Sequence, residues 1–140
     1  MQRLKTRPQF QAVLNAVMVA KTDHFALHRA ELDTLAPPAP LALPVLLFPG
    51  DETWTGAMAP KRWAKRAVTR NAIKRQIYTV SASYQQFIAQ AAYVVRLRRE
   101  FSRREFPSAS SAALKKAVQQ ELQALMQLAL NAGKPKLGAV

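Results

Sequence analysis

The pattern of apolar and polar residues predicts a first helix near the start of the chain and a strand after it. In residues 8–19 the apolar residues recur every three or four positions, at Phe10, Val13, Leu14 and Val17. This is the spacing of an amphipathic helix, and Pro8 is tolerated in the first turn of such a helix. Residues 21–32 instead show a period of two, which predicts a strand.

A proline-rich stretch interrupts this pattern in residues 33–50. Proline cannot donate the backbone hydrogen bonds of a strand or of a helix interior, so we expect a loop insertion here. Within it, residues 45–48 predict a short strand before a Pro-Gly-Asp turn at residues 49–51. Residues 53–59 predict another strand, in which Gly56 allows a close approach of the backbone.

Three further elements follow Pro60. Residues 61–91 contain no glycine or proline and carry a helical apolar pattern, which predicts a long helix. Residues 92–98 alternate between an apolar set of side chains and a set that contains Arg96 and Arg98, which predicts a strand with one basic face. Residues 111–130 predict a last helix, which Gly133 ends.

Together these elements predict a single α+β domain over residues 1–140, in the order αβββαβα. A small central sheet of about four strands is expected to pack with three helices. Residues 33–50 are expected to be the loop insertion of this domain, and residues 134–140 its flexible C-terminal tail.

The charge of the chain is strongly one-sided, with 21 lysines and arginines against 8 acidic residues and a formal net charge of +13. Self-repulsion opposes folding at such a charge, so the excess indicates a polyanionic partner, either a nucleic acid or an acidic membrane surface. The chain has no cysteine, which excludes disulfides, thiolate nucleophiles and cysteine-based zinc sites. His24 and His28 are its only histidines, too few for a histidine-rich metal site.

The sequence does not predict membrane insertion or export. The N-terminus lacks the apolar core of a secretory signal, and the longest apolar run, residues 41–48, is short and broken by Pro44. We therefore expect a cytoplasmic protein without a membrane partner.

Between residues 61 and 75 there are seven cations and no acid. In helical geometry one strip of this segment is polar, and the opposite strip, with Ile73 and Ile77, is apolar. The polar strip consists of Arg70, Asn71, Lys74 and Arg75. Lys61 and Lys65 are expected to extend this polar surface at the start of the helix. Arginine and lysine bind phosphates, and asparagine can bridge a phosphate, a 2′-hydroxyl or a base edge, so a rigid strip of this kind suits folded RNA. The alternative is a solvated basic face, but such faces usually mix glutamate with lysine.

Residues 60–75, PKRWAKRAVTRNAIKR, resemble the signature of the bacterial ribonuclease P protein family. That signature is a K-[KR] pair followed by K-R-A-x-x-R-N-x-I-K-R on the second helix, called the RNR motif. An opening Arg3-Leu4 with Phe10, a glycine-containing strand before the basic pair and a C-terminal helix are also similar to the family in their order. The resemblance covers almost the whole chain, although only the RNR segment is specific.

The resemblance implies a protein subunit that works with a catalytic RNA to remove the 5′ leader of precursor tRNA. It implies an RNA-contacting set made of Lys61, Arg62, Lys65, Arg66, Arg70, Asn71, Lys74 and Arg75. It also implies a leader cleft lined by Phe10 and Leu14 on the first helix and by His28 on the facing strand. From the residues alone, Phe10 is better explained as an ordinary core aromatic, and His28 as a partly exposed strand residue without a special role.

The same resemblance assigns the chemistry to the RNA subunit with Mg²⁺, which is bound mainly by the RNA and the substrate. No catalytic residue and no metal ligand is expected in the chain, because its few acids form no carboxylate cluster. The adjacent acids Asp51 and Glu52 follow a turn and predict a surface turn. The expected partners are the ribonuclease P RNA and precursor tRNA, without an obligate protein partner.

The sequence departs from the family pattern at several positions. Tyr78 and Thr79 stand where the family commonly has Arg and then Glu or Gln. Ala72 stands where it often has Arg, and Leu14 where a second aromatic residue is frequent. Tyr78 and Thr79 lie at the end of the predicted contact surface on the second helix.

Three other functions stay open at this point. A general or ribosomal RNA-binding protein would bind many structured RNAs and would not stimulate tRNA 5′ processing. An autonomous metal-dependent nuclease would need the carboxylate cluster that the sequence lacks. A membrane-surface role for the last helix is disfavoured, because Lys115, Lys116 and Glu121 give it an ordinary soluble face.

Overall fold

Apart from an additional strand at the N-terminus, helices and strands alternate in the predicted order, although two strands do not lie where the sequence predicts them. A computed structural model describes residues 1–36, 44–102, 106 and 112–132. Its strands are β1 (Gln2–Arg3), β2 (Val17–Lys21), β3 (Phe25–Ala30), β4 (Trp54–Met58) and β5 (Ala92–Leu97). Its helices are α1 (Arg7–Leu14), α2 (Ala67–Tyr84) and α3 (Ala112–Ala132). The predicted α+β class is confirmed, with a five-stranded sheet in place of about four strands.

The strand order of the sheet is β1-β4-β5-β3-β2. β3 runs antiparallel to both β2 and β5, whereas β4 runs parallel to both β1 and β5. Parallel neighbours need a crossover connection, and α2 is the crossover between β4 and β5. This connection places α2 against the sheet beside the N-terminal edge strand.

One face of the sheet holds the larger core. Side chains alternate across a strand, so Phe25, Leu27 and Val95 point to this face and pack with Ile77 of α2 and Leu122 of α3. All five side chains are fully buried. Burial of one such side chain contributes roughly 1.5–3 kcal/mol, so this core is the main support of α2.

The opposite face carries a smaller core. Val13 of α1 and Phe48 of the loop before β4 belong to one buried cluster with Leu4 and Val94. α1 covers only part of this face, and Met18 of β2 is 47% exposed. An open surface is therefore left beside α1.

The first helix is shorter than predicted. It begins after Thr6, whose hydroxyl accepts a hydrogen bond from the backbone N–H of Gln9, while the Gln9 side chain accepts one from the N–H of Thr6. It ends at Leu14, and Val17, which the helical spacing includes, begins β2 instead. The β-branched valines after Leu14 favour a strand, and pairing with β3 adds ladder hydrogen bonds there. The prediction of a helix through residue 19 is therefore wrong.

The N-terminal half of the chain holds two further differences. Residues 45–48 form no strand of the sheet; their backbone makes one isolated bridge, and Leu47 and Phe48 are buried in the smaller core. Burial rather than strand pairing explains that apolar run. At the N-terminus, Gln2–Arg3 forms β1, which is too short to show a period in the sequence. The predicted turn at Gly50 is confirmed by its φ of 93°, a conformation that favours glycine.

The second helix is shorter than predicted at both ends. Pro60 begins a tight turn in which the N–H groups of Trp63 and Ala64 donate to its carbonyl oxygen, so α2 starts only at Ala67. The helix ends at Tyr84 because the chain turns there to enter β5. The prediction of one helix over residues 61–91 is therefore wrong in its first and last turns.

The remaining elements agree with the sequence prediction. The strands predicted in residues 21–32, 53–59 and 92–98 are confirmed with shorter bounds, and the helix predicted in residues 111–130 is confirmed at Ala112–Ala132. The predicted helix end at Gly133, the tail at residues 134–140 and the centre of the proline-rich loop, residues 37–43, lie outside the described residues.

Candidate nucleic-acid interface

The exposed side of α2 carries the polar strip that its sequence predicts. Asn71 and Arg75 are exposed and Lys74 is half-buried, whereas Ile73 and Ile77 on the opposite side are 2% and 0% exposed. The core therefore holds the helix in place while an amide, an ammonium and a guanidinium group face outward. These three side chains line one open groove of about 730 Å³ between α2 and the N-terminal strand.

The four predicted cations before α2 lie in a connecting segment rather than on the helix. All four are exposed: Lys61, Arg62, Lys65 and Arg66. Between them, Ala64 is 5% exposed and belongs to the larger core, which anchors the segment. The prediction that Lys61 and Lys65 extend the helix surface is therefore wrong, although both side chains lie at the protein surface.

The Arg70 side chain makes hydrogen bonds within the protein. Its Nη1 atom donates to the backbone carbonyl oxygens of Ala64 and Lys65, at 3.0 and 2.8 Å. The side chain thus fastens the connecting segment to the first turn of α2. Within the predicted RNA-contacting set, we expect Arg70 to affect folding as well as binding.

Two carboxylates in the described ranges are paired with side chains that do not line the groove. Glu121 Oε1 is 2.7 Å from His24 Nδ1, and Glu31 pairs with Arg29 at 3.1 Å. The groove lining, as far as the structure describes it, contains no aspartate or glutamate. Its positive potential is therefore not offset by an acid within the described lining.

The residues predicted to form the leader cleft lie on the other side of the sheet. Phe10 and Leu14 are half-buried against the smaller core. The Phe10 ring rests on Gly56: a Cβ atom at position 56 would lie 2.7 Å from Phe10 Cε1. This contact confirms the close backbone approach expected at Gly56, and it uses part of the Phe10 ring for packing.

His28 is buried, with 6% of its surface exposed, rather than partly exposed. Arg96 Nε donates to His28 Nε2 at 3.0 Å, so the neutral ring carries its proton on Nδ1. That Nδ1 atom is buried and has no hydrogen-bond partner among the described residues. Burial and then the positive charge of Arg96 lower the pKa of His28, which favours the neutral ring.

Comparison with known proteins identifies the family. The family model described as Ribonuclease P matches residues 1–127. The chain belongs to the ribonuclease P protein family. The ribonuclease P protein component of Ralstonia pickettii (strain 12J) is 31% identical over 128 residues, which cover 91% of this chain and 78% of that relative. The resemblance read from residues 60–75 is thereby confirmed.

Solved ribonuclease P proteins share the fold. The Staphylococcus aureus protein superimposes with a TM-score of 0.61 at 18% identity, covering 92% of this chain and 95% of the other. The Thermotoga maritima protein gives a TM-score of 0.56 at 16% identity, covering 89% of this chain and 97% of the other. At these identities the likeness shows the fold alone.

Membership of the ribonuclease P family makes the chain a protein component of an endoribonuclease complex that processes tRNA. The ribonuclease P RNA is the partner that this membership implies. The roles of the individual RNA-contacting and leader-cleft residues stay predictions.

Two arginines outside the predicted sets lie at these surfaces of the ribonuclease P fold. Arg96 of β5 holds His28 and faces the same side of the sheet as Gly56. The basic face predicted for the strand at residues 92–98 is the sequence signal that points to it. Arg3 of β1 lies over the Tyr78 ring, with 4.0 Å between its guanidinium carbon and the ring centroid. No sequence period marks that contact.

The predicted surface turn at Asp51 and Glu52 is confirmed, since both residues are exposed and Glu52 accepts a hydrogen bond from the Gln2 side chain at 2.7 Å. Across the described ranges, no group of three histidine, aspartate or glutamate residues is arranged to hold a metal ion. None of the helices, as far as they are described, is long and apolar enough to span a bilayer.

Proposed function

We propose that this protein binds the catalytic RNA of ribonuclease P and the 5′ leader of precursor tRNA, and assists the Mg²⁺-dependent endonucleolytic removal of that leader. The observation that carries the proposal is the groove beside α2, where Asn71, Lys74 and Arg75 face outward together. A preformed cationic surface attracts RNA phosphates and needs little ordering when it binds them.

The catalytic RNA is assigned to the α2 side of the molecule. The Arg75 guanidinium can bind a phosphate through two parallel hydrogen bonds, and Lys74 supplies a point charge beside it. The Asn71 amide can bridge a phosphate and a 2′-hydroxyl, a group that RNA has and DNA lacks. The exposed cations before α2 widen this basic surface beyond one helix face.

The 5′ leader is assigned to the α1 side of the sheet. Phe10 and Leu14 offer an apolar wall on which unpaired bases can stack without being read in sequence. Arg96 adds a cation to the same surface, and its hydrogen bond to His28 sets the direction of its guanidinium group. Because His28 is buried, its role in the proposal is to support Arg96 rather than to contact RNA directly.

The proposal gives the chain no catalytic residue. Hydrolysis is assigned to the RNA subunit, with Mg²⁺ held mainly by the RNA and the substrate. The protein reduces the repulsion between two polyanions and holds the leader in place. Its contribution is therefore expected to be largest at low Mg²⁺, where fewer cations screen that repulsion.

Reconstitution with a bacterial ribonuclease P RNA tests this function. Formation of the mature tRNA 5′ end is followed at low and high Mg²⁺, with and without the protein, and protein alone serves as the control. We expect the protein to accelerate 5′-end formation at low Mg²⁺ and to have a smaller effect at high Mg²⁺. Equal affinity for unrelated structured RNAs without stimulation would indicate a general RNA-binding protein. Cleavage by the protein alone would show that the chemistry is not carried by the RNA.

A further inference from the structure

The alternation of side chains along β1 determines which face of the sheet the Arg3 side chain points to. Leu4, the next residue, is 5% exposed and belongs to the smaller core, so Arg3 points to the opposite face, the face that α2 covers. The backbone of this segment is held by hydrogen bonds from Gln2 N to Thr53 O at 2.9 Å and from Leu4 N to Thr55 O at 3.0 Å. Arg3 is therefore carried by a fixed strand and not by a free terminus.

The Arg3 side chain stacks on the face of the Tyr78 ring. The guanidinium carbon lies 4.0 Å from the centroid of the Tyr78 ring, a favourable cation–π distance. The ring itself is held in place, because its hydroxyl oxygen accepts a hydrogen bond from the backbone N–H of Ala57 at 3.3 Å. Among the described residues the guanidinium makes no hydrogen bond and no ion pair, so its N–H groups are available to a ligand.

Arg3 and the polar strip of α2 open into the same groove. The side chains that line it include Arg3, Asn71, Lys74, Arg75, Tyr78 and Thr79. On α2 the charged strip stops after Arg75, because positions 78 and 79 are uncharged. Arg3 places a guanidinium group over Tyr78, so the positive surface continues beyond Arg75, the last cation of the strip on α2.

We propose that Arg3 is an RNA-binding residue that continues the strip of α2 onto β1, and that Tyr78 is the platform that positions it. The ligand is a backbone phosphate of the ribonuclease P RNA, because the groove is continuous with Asn71, Lys74 and Arg75. This inference rests on the proposed function, and it names a further contact at the same site. It also explains how the chain can bind RNA with Tyr78 where the family commonly has arginine.

Salt-dependent binding of Arg3→Ala to a bacterial ribonuclease P RNA tests the contact. Loss of one phosphate contact is expected to weaken binding about fivefold at about 0.15 M salt, and to reduce the slope of log affinity against log salt by about 0.7–0.9. Arg99→Ala is the matched control, because Arg99 is exposed, carries the same charge and does not line the groove. A purely structural role of Arg3 would lower the melting temperature without changing the salt slope.

Two substitutions of Tyr78 test the platform. Tyr78→Phe keeps the ring and loses the hydroxyl, so we expect a small loss of stability and a wild-type salt slope. Tyr78→Leu loses the ring face, so we expect weaker RNA binding than for Tyr78→Phe at equal folded fraction. Adding Arg3→Ala to Tyr78→Leu should weaken binding by less than Arg3→Ala does alone, because the two residues act as one unit.

The outcomes separate this inference from the proposed function. If the wild-type protein does not bind ribonuclease P RNA, both are wrong. If the wild-type protein binds but Arg3→Ala has the same slope as Arg99→Ala, only the Arg3 contact is wrong. If Arg3→Ala weakens binding of precursor tRNA and leaves the affinity for the catalytic RNA unchanged, the assignment of the phosphate to the catalytic RNA is wrong.

Discussion

The two sides of the sheet present their candidate RNA-binding groups in different ways. On the α2 side, Asn71 and Arg75 face solvent while Ile73 and Ile77 hold the helix, so binding groups and packing groups are different residues. On the α1 side, Phe10 packs on the backbone of β4, and Arg96 donates a hydrogen bond to the buried His28. The candidate binding residues of this side therefore also stabilise the fold. Substitutions on the α2 side should therefore change binding at constant stability, whereas substitutions on the α1 side should change both.

The largest expected effect is on the α1 side, at Gly56. A Cβ atom at position 56 would lie 2.7 Å from Phe10 Cε1 and 3.2 Å from Leu4 Cβ. Gly56→Val should displace α1 and lower the free energy of unfolding by about 2–3 kcal/mol, the upper part of the range for overpacking. Urea denaturation followed by circular dichroism measures this change.

The double variant Phe10→Ala/Gly56→Val is the control for this prediction. Removing the ring should restore part of the stability that Gly56→Val loses, since the ring is the nearest obstacle. Equal stability of Gly56→Val and the wild-type protein would show that α1 does not rest on Gly56, and the contrast between the two sides would lose its main support.

The next largest effect is expected on the α2 side. Lys74→Ala/Arg75→Ala removes two phosphate contacts, so affinity for ribonuclease P RNA should fall about 20-fold at about 0.15 M salt, and the salt slope should fall by about 1.4–1.8. The free energy of unfolding should stay close to the wild-type value, because neither side chain belongs to a core cluster. Filter binding over a range of salt concentrations gives the first quantity, and urea denaturation the second.

Lys115→Ala/Lys116→Ala on α3 is a matched control for this double variant. It removes the same charge from two exposed, adjacent positions of another helix. A similar loss of affinity in both double variants would mean that net charge, and not the α2 surface, determines binding.

Arg70 is an exception that refines the comparison, because it lies on the α2 side but also holds the fold. Arg70→Ala loses two hydrogen bonds to backbone carbonyls, so we expect a loss of about 1 kcal/mol in the free energy of unfolding. Asn71→Ala, at the neighbouring exposed position, should leave stability unchanged. If both variants are as stable as the wild-type protein, the hydrogen bonds of Arg70 to the connecting segment contribute nothing to folding.

The sequence predicts the two sides to different extents, for physical reasons. The strip on α2 follows from a helical period that is repeated over several turns, and Arg75 lies where that period places it. The connecting segment before Ala67 is predicted as helix because residues 61–91 contain no glycine or proline and carry the local apolar pattern of a helix. The Pro60 turn and the hydrogen bonds of Arg70 override that local preference. The stacking of Arg3 on Tyr78 joins residues far apart in the sequence, so no local pattern could predict it.

The smallest expected effect is a pH dependence at His28. The pKa of His28 is lowered in the folded protein by burial and by the charge of Arg96, whereas in the unfolded chain this pKa has its ordinary value of 6.5. Above pH 6.5 the ring is neutral in both states, and its contribution to stability is fully present. Below pH 6.5 the unfolded chain takes up a proton that the folded protein does not yet bind, so stability falls as the pH approaches the lowered pKa.

His28→Gln tests this dependence. The glutamine amide oxygen can still accept a hydrogen bond from Arg96, but the glutamine side chain does not titrate. The variant should therefore lose less stability than the wild-type protein as the pH is lowered from 6.5. Urea denaturation at a series of pH values measures the difference, because the variant and the wild-type protein share every other residue. Parallel curves would mean that His28 protonates at the same pH in the folded and unfolded chains. The ring would then be accessible to solvent, and the α1 side would offer a titratable group to RNA in place of a buried support for Arg96.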